Sequence, residues 1–339
     1  MFTPEIRSKI LKNVAEGIPF AVFRMPGRND FHFGDENGYM LDITEYDVPF
    51  DQAFSFSYPQ EGFAAVEMPA ESDRNHYLQA VENLVRYHKT HGGKTVMSRI
   101  LRGRTDMTKL VFAAERYFEQ NPEAFCLLAQ IAPGKIWIMA TPETLFSRDG
   151  DHVSVMALAG TRPYFENGGE WDEKNLKEQK IVENFIVDSL LQLGMDVEIA
   201  EFKTLRSGNV EHICSMIRSD AKTNCGTVTT AELADALSPT PAVCGFPRDA
   251  ARENIKKYED HKRGFYAGYT VVGLPDGKSH VFVNLRCALI DTATGEFAIY
   301  SGGGITADSV PLSELEETRI KAAPLLKILE SEKLPNIIK

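Results

Sequence analysis

The sequence predicts an α+β fold with large antiparallel sheets, on three observations. Hairpin signals punctuate the apolar runs at Pro133-Gly134 and at Asp149-Gly150. Two stretches, 77–88 and 176–193, repeat their apolar residues at the period of an amphipathic helix. Strand and helix patterns interleave without the strict strand–helix–strand alternation of a parallel sheet.

The elements follow in order. The first 70 or so residues mix short apolar runs with Gly, Asp and Pro, as in short strands joined by loops. Tyr77, Val81, Leu84, Val85 and His88 mark one face of a helix that Gly92-Gly93 ends. Lys94 to Ile100 reads as a strand, and Phe125–Ala132 with Ile136–Met139 as the arms of a hairpin. A helix is expected from Leu176 to Leu193, and strand patterns at 281–290 and 297–300. Ser313 and Glu316 have the spacing of a capping box, so the last helix is expected to start there, with Pro324 kinking it. No repeat or low-complexity linker divides the chain, so one domain over 1–339 is expected.

Composition narrows the function classes. With 339 residues, 43% hydrophobic and 25% charged, the chain has the makings of an ordinary soluble protein with a large core. Lys plus Arg number 37 against 48 Asp plus Glu, and the net charge of -11 argues against nucleic acid or an anionic membrane as partner. No apolar run has membrane-spanning length, and Met1 to Arg7 shows no signal-peptide core. Five scattered cysteines lack metal-ligand spacing and read as reduced thiols of a cytoplasmic protein. The frames of dinucleotide, P-loop, serine-elbow and CxxC sites are missing.

Several charged residues ask for chemistry. Glu314, Glu317 and Lys321 fall on one helical stripe, which alone reads as a solvated face with intrahelical ion pairs. The small-residue turn Ser301-Gly302-Gly303-Gly304 precedes it. Glu178 shares an otherwise apolar face with Val182, Phe185 and Ser189. A carboxylate in a helix's first turn ordinarily serves the helix dipole, but one aimed inward needs a partner. Carboxylates without a His or Cys cluster suggest Mg²⁺ over Zn²⁺. Lys94 reads either as a snorkelling surface lysine or as a base with a lowered pKa. Glu143 reads as an unremarkable loop acid, and His212 as a hydrogen-bonded structural histidine. Arg286 lies inside an apolar strand pattern and needs an anionic partner, of which a substrate carboxylate is one. Ala159-Gly160-Thr161 and the glycines at 302–304 let backbone approach a ligand.

A set of ordered motifs adds to this reading. They are KTVMSR at 94–99, TPE at 141–143, ALAGTRP at 157–163, KNLKEQ at 174–179, VEHI at 210–213, SPTPAVCGFPR at 238–248, RGFYAG at 263–268, NLRCALI at 284–290, YSGGGI at 300–305 and ELEETRIKAAPLL at 314–326. In them the chain resembles the chorismate-utilising enzymes: isochorismate synthases, salicylate synthases and the large components of anthranilate and aminodeoxychorismate synthases. The resemblance implies two large antiparallel β-sheets packed face to face with helices outside. Residues 90–330 would be the catalytic core and 1–75 a short N-terminal part of the first sheet. Family members that add water have lysine where Lys94 stands, whereas amine-using members have glutamine. Aminodeoxychorismate synthases carry a nucleophilic lysine at the position of Ala159. The implied activity is therefore the Mg²⁺-dependent isomerisation of chorismate to isochorismate, for menaquinone or siderophore biosynthesis. Salicylate synthase, which goes on to eliminate pyruvate, is the alternative.

The same resemblance assigns roles. Lys94 would be the base for water attack at C2, and Glu143 the acid for loss of the C4 hydroxyl. Glu178 and Glu317, with Glu314 through water, would hold Mg²⁺. Arg286, Tyr266 and Gly302 would hold the enolpyruvyl carboxylate, with Lys321, His212, Ala159, Gly160 and Thr161 lining the rest of the substrate site. Chorismate is the expected partner, with no glutaminase subunit and a monomeric state. Ser238, Leu315 and Gly303 depart from the family's common residues.

Overall fold

The computed structural model describes residues 1–34, 36–56, 66–164, 168–207 and 210–330. Helix α1 (Pro4–Glu16) leads to β1 (Phe20–Arg24), β2 (His32–Phe33), β3 (Met40–Ile43) and β4 (Phe54–Ser55). Helix α2 (Arg74–His91) precedes β5 (Lys94–Arg104), and α3 (Leu110–Glu119) precedes the hairpins β6 (Phe125–Ala132) with β7 (Lys135–Thr141) and β8 (Thr144–Asp149) with β9 (His152–Pro163). Next come α4 (Glu173–Gln192), β10 (Glu198–Ile199), β11 (Lys203–Ser207), β12 (Val210–Asp220), β13 (Lys222–Thr223), β14 (Gly226–Thr227) and α5 (Thr230–Leu237). The chain continues through β15 (Gly245–Phe246), α6 (Arg248–Tyr258), β16 (Tyr269–Gly273), β17 (Ser279–Val283), β18 (Cys287–Asp291), β19 (Glu296–Ile305) and α7 (Pro311–Leu329).

Two antiparallel sheets dominate. The first runs β15-β5-β19-β18-β7-β6-β1-β2 and the second β10-β12-β9-β8-β17-β16-β3-β4, with β11 also paired to β12. Strand β6 shows how side-chain alternation builds two cores. Phe125, Leu127 and Ala129 join the core between the sheets, while Cys126 and Leu128 join a second core under α1, α3 and α7. Across the inter-sheet core Phe125 stacks on Phe282, ring centroids 4.2 Å apart. Helix α4 lays Val182, Ile186 and Leu190 on the second sheet's side of that core.

Five expectations are corrected. The pattern at 281–290 is two strands, because the chain crosses from β17 in the second sheet to β18 in the first at Asn284-Leu285-Arg286. Arg286 makes that corner with a left-handed φ of 51°. Ser301-Gly302-Gly303-Gly304 is no turn but part of β19, paired with Arg99 to Val96 of β5. Helix α7 begins at Pro311, where a missing N–H leaves nothing unsatisfied, rather than at a Ser313 cap, and it continues past Pro324 to Leu329. Helix α4 begins at Glu173, capped by Asp172, which puts Glu178 in its second turn. The stretch before residue 75 divides between sheets: β1 and β2 join the first, β3 and β4 the second.

Candidate active site

Strands β5 and β19 form the floor of the site, and their small residues are there for space. Gly302, Gly303 and Gly304 stand in extended strand without positive φ, so conformational freedom does not explain them. A Cβ on Gly304 would lie 2.4 Å from Lys94 Cε and 2.8 Å from Glu178 Oε1. One on Gly303 would lie 3.2 Å from Glu314 Oε2 and 3.5 Å from Glu317 Oε1. One on Gly302 would lie 2.7 Å from the Tyr266 hydroxyl oxygen. The bare backbone admits three carboxylates, a lysine and a tyrosine onto one strip of strand.

Each carboxylate meets a lysine there. Lys94, only 2% exposed at the start of β5, pairs with Glu178 of α4. Lys321 pairs with Glu317 one turn back on α7 at 2.7 Å and donates to Gly302 O at 3.1 Å. Lys174 approaches Glu314 at 3.7 Å. Burial and the like charge of Glu317 push the Glu314 pKa up. Burial also raises Glu317, but the Lys321 ammonium beside it brings the net shift below the usual range. Among the described residues no three His, Cys, Asp or Glu side chains are gathered closely enough to hold an ion. The donor chemistry nevertheless fits a hard divalent cation. All three groups are acceptor-only carboxylates, and Gly303 leaves open the place a Cβ would fill between two of them.

The opposite wall is different: among the described residues no ion pair reaches Glu143, His212 or Arg286. Glu143 sits in the β7–β8 link, only 5% exposed rather than the expected surface acid. Its backbone N–H donates to Thr141 Oγ1 and its carbonyl accepts from Val283 N, which fixes the link. Burial lifts its pKa to about 7 against the pull of Lys94 and Lys321. A β-bulge in β9 leaves Gly160 unpaired, its φ +70°, between Ala159 opposite Ile213 and Thr161 opposite His212. The Gly160 carbonyl lies 3.1 Å from His212 Nδ1, and since a carbonyl only accepts, that nitrogen carries the hydrogen. Burial lowers the His212 pKa to about 3, and among the described residues its Nε2 has no hydrogen-bond partner. Arg286 keeps some surface open to the cavity, yet its enclosure pushes the guanidinium pKa down. The Tyr117 hydroxyl donates to the Arg286 carbonyl at 2.7 Å and holds the corner.

These walls enclose a cavity of about 390 Å³. It is lined by Lys94, Glu143, Ala159, Gly160, Thr161, Glu178, His212, Tyr266, Arg286, Gly302, Glu317 and Lys321. Glu314 stands behind that surface, 3% exposed. Sequence reasoning missed Lys174 and Asn175, which also line the cavity. Asn175 Oδ1 accepts from Thr161 N at 2.9 Å and so pins the bulge. Its place one turn before Glu178 on the same helix was the available signal.

Residues 50–330 match the family described as chorismate binding enzyme. Isochorismate synthase DhbC of Bacillus subtilis (strain 168) is 34% identical over 212 residues, 59% of this chain and 52% of the relative. Isochorismate synthase MenF of the same organism is 29% identical over 289 residues, 81% of this chain and 60% of the relative. The chain thus spans between half and two thirds of the length of these curated relatives. The structure of MenF, the menaquinone-specific isochorismate synthase of Escherichia coli, superposes with a TM-score of 0.76 at 20% identity, covering 93% of this chain and 89% of that one. That likeness establishes the shared fold. With a family match over most of its length and a cavity built from the residues its motifs carry, the chain belongs to the chorismate-binding enzymes.

Proposed function

We propose that the chain is an isochorismate synthase, converting chorismate to isochorismate. The observation that carries the reading is a buried lysine and a buried, readily protonated carboxyl, Lys94 and Glu143, facing one cavity. Water adds at C2 of the ring while the C4 hydroxyl leaves, so a base and an acid must act together. Lys94 acts as the neutral amine: its lone pair takes the proton of the attacking water, and Glu178 beside it stabilises the ammonium that results, the charge state of the resting ion pair. Glu143, with a pKa of about 7, holds the proton that the departing hydroxyl needs to leave as water.

The remaining residues bind and orient. Arg286 offers a guanidinium to the enolpyruvyl carboxylate, beside the Tyr266 hydroxyl at Gly302. His212 presents its unprotonated Nε2 as an acceptor for a ligand hydroxyl, and the Ala159–Thr161 bulge lines the ring end. Mg²⁺ would be held by Glu178, Glu314 and Glu317. Bound there, it would neutralise the ring carboxylate.

Relatives named isochorismate synthase support the reaction. By the family resemblance, lysine at position 94 supports water over ammonia as nucleophile, and so no glutaminase subunit. Among the described residues no helix is long and apolar enough to cross a membrane. Five free cysteines, four of them buried, support a cytoplasmic setting.

Purified protein with chorismate and Mg²⁺, with and without EDTA, tests the reading. A metal-dependent product of unchanged mass and new chromatographic retention, without pyruvate, is expected. Salicylate with equimolar pyruvate, or no turnover, would overturn it.

A further inference from the structure

Behind the cavity floor lies a buried ion pair that the mechanism above does not use. Strand β5 is bordered on its outer side by β15, but β15 is only two residues long and pairs with Lys94 and Thr95 alone. Beyond it Cys244 O accepts from Val96 N and Ser72 N donates to Ile100 O, and side chains close the edge of β5 between them. Glu259 Oε1 accepts from Ser98 N at 2.7 Å and from Ser98 Oγ at 2.8 Å. Arg263 donates to both Glu259 oxygens, at 2.5 and 2.9 Å, to Val96 O at 2.8 Å and to Val243 O at 2.7 Å. Glu259 and Arg263 side chains are each 2% exposed. His261 Nε2 meets Ser98 Oγ at 2.9 Å, and its Nδ1 meets Asp260 Oδ1 at 3.1 Å.

The groups this pair holds are cavity walls. Val96, Val243 and Tyr266 all line the cavity. The Arg263 carbonyl accepts from Tyr266 N at 3.1 Å, and the guanidinium lies 5.8 Å from the Tyr266 ring centroid. Ser98 is the register partner of Gly302, against which the Tyr266 hydroxyl packs. One planar cation with a fixed fork of donors therefore fixes three wall segments at once, and one carboxylate fixes the cation. A surface ion pair at this i,i+4 spacing would do none of this.

We infer that Glu259 is a positioning residue, acting through Arg263 to hold the Tyr266 hydroxyl and Gly302 where they meet the substrate carboxylate. The inference rests on the proposed chorismate site. It predicts a loss of substrate binding that runs through Tyr266, and a double-mutant cycle separates that from general loosening of the fold. The variants are Glu259→Gln, Tyr266→Phe and the pair. The readouts are KM, kcat and chorismate affinity measured by calorimetry in Mg²⁺. Glu259→Gln should raise KM about tenfold with kcat within about threefold, as expected for lost ground-state binding. In the Tyr266→Phe background the same change should add less than about twofold. Effects that multiply in the double variant, or an unchanged KM, would overturn the inference.

Because leaving Arg263 unpaired can unfold the protein, Ser98→Ala is the second variant. It removes the hydroxyl contacts to Glu259 and His261 while keeping the backbone bond, and the same non-additivity with Tyr266→Phe is expected at about threefold. Wild-type protein that neither binds nor converts chorismate would overturn the functional reading and this inference with it. Wild-type activity with an additive cycle would overturn the inference alone.

Discussion

The two walls of the cavity handle charge in opposite ways. On the floor and α7 side, every carboxylate faces a lysine: Glu178 with Lys94, Glu317 with Lys321 and Glu314 with Lys174. On the other side Glu143, His212 and Arg286 stand enclosed, and among the described residues no ion pair reaches any of them. Burial disfavours their charged forms and each shifts accordingly: the acid up, the histidine and arginine down. A matched pair contributes to the fold on its own. An unmatched buried group destabilises the empty protein and becomes favourable only when a ligand supplies what it lacks. The unpaired wall is therefore where substrate recognition and the proton donor should concentrate, with the base Lys94 facing it from the paired wall.

The largest expected effect tests the unpaired wall. Glu143→Gln should lower kcat by about 10²- to 10⁴-fold, the usual worth of a general acid, and Lys94→Ala, on the paired wall, should lose a similar factor because base and acid act together. In wild type kcat should fall as pH rises above about 7, because the acid must be protonated to act. Stability carries the same signature with a definite sign. Burial pushes the folded Glu143 up to about 7 from the ordinary 4.5 of the unfolded chain, so wild type loses stability as pH rises through that window. Melting of wild type and Glu143→Gln should coincide below pH 4.5, and the variant should be more stable at pH 8, by roughly 3 kcal/mol at most. A variant less stable at pH 8 would mean that the carboxylate is paired after all.

The paired wall should respond the other way. Glu178→Gln leaves Lys94 buried without its counter-charge, and loss of about 3 kcal/mol is expected in denaturant melts without metal. Arg286→Met removes an unmatched guanidinium and should raise Tm slightly while raising KM at least about tenfold, as for a lost charge-assisted bond. Equal signs for the two variants would erase the contrast between the walls.

The sequence made much of this legible, and the failures have a common cause. Motif order survives in one dimension, and twelve of the thirteen expected residues, Lys94, Glu143, Glu178, Arg286 and Lys321 among them, line one cavity. Local pattern misjudged what only pairing partners decide. Gly302 to Gly304 look like a turn because three small residues in a row usually make one, yet the space above them is taken by side chains from α4, α7 and the 263–268 segment. Arg286 looks like a residue inside a strand because apolar residues flank it on both sides, yet those flanks belong to different sheets. Glu259 and Arg263 drew no reading from the sequence, because α6 ends at Tyr258 and only the fold turns the pair inward. The half-length match to curated relatives likewise leaves no mark in periodicity or composition.

The smallest expected effect sharpens the comparison most finely, because it concerns the weakest of the three pairs. Lys174 approaches Glu314 at 3.7 Å and its side chain is 44% exposed, so solvent screens it more than Lys94 or Lys321. If the lysines occupy the charge that a divalent cation would otherwise neutralise, removing one should favour the metal. Lys174→Met keeps the stem and discards the ammonium, leaving Glu314 beside Glu317 with a less compensated like charge. Mn²⁺, followed by electron paramagnetic resonance as free ion lost on binding, should bind this variant about threefold tighter than wild type, at low ionic strength and without substrate. The gain should shrink in higher salt, as screening of a partly exposed charge requires. Weaker Mn²⁺ binding in Lys174→Met would instead make Lys174 a support for the carboxylates rather than a competitor for them.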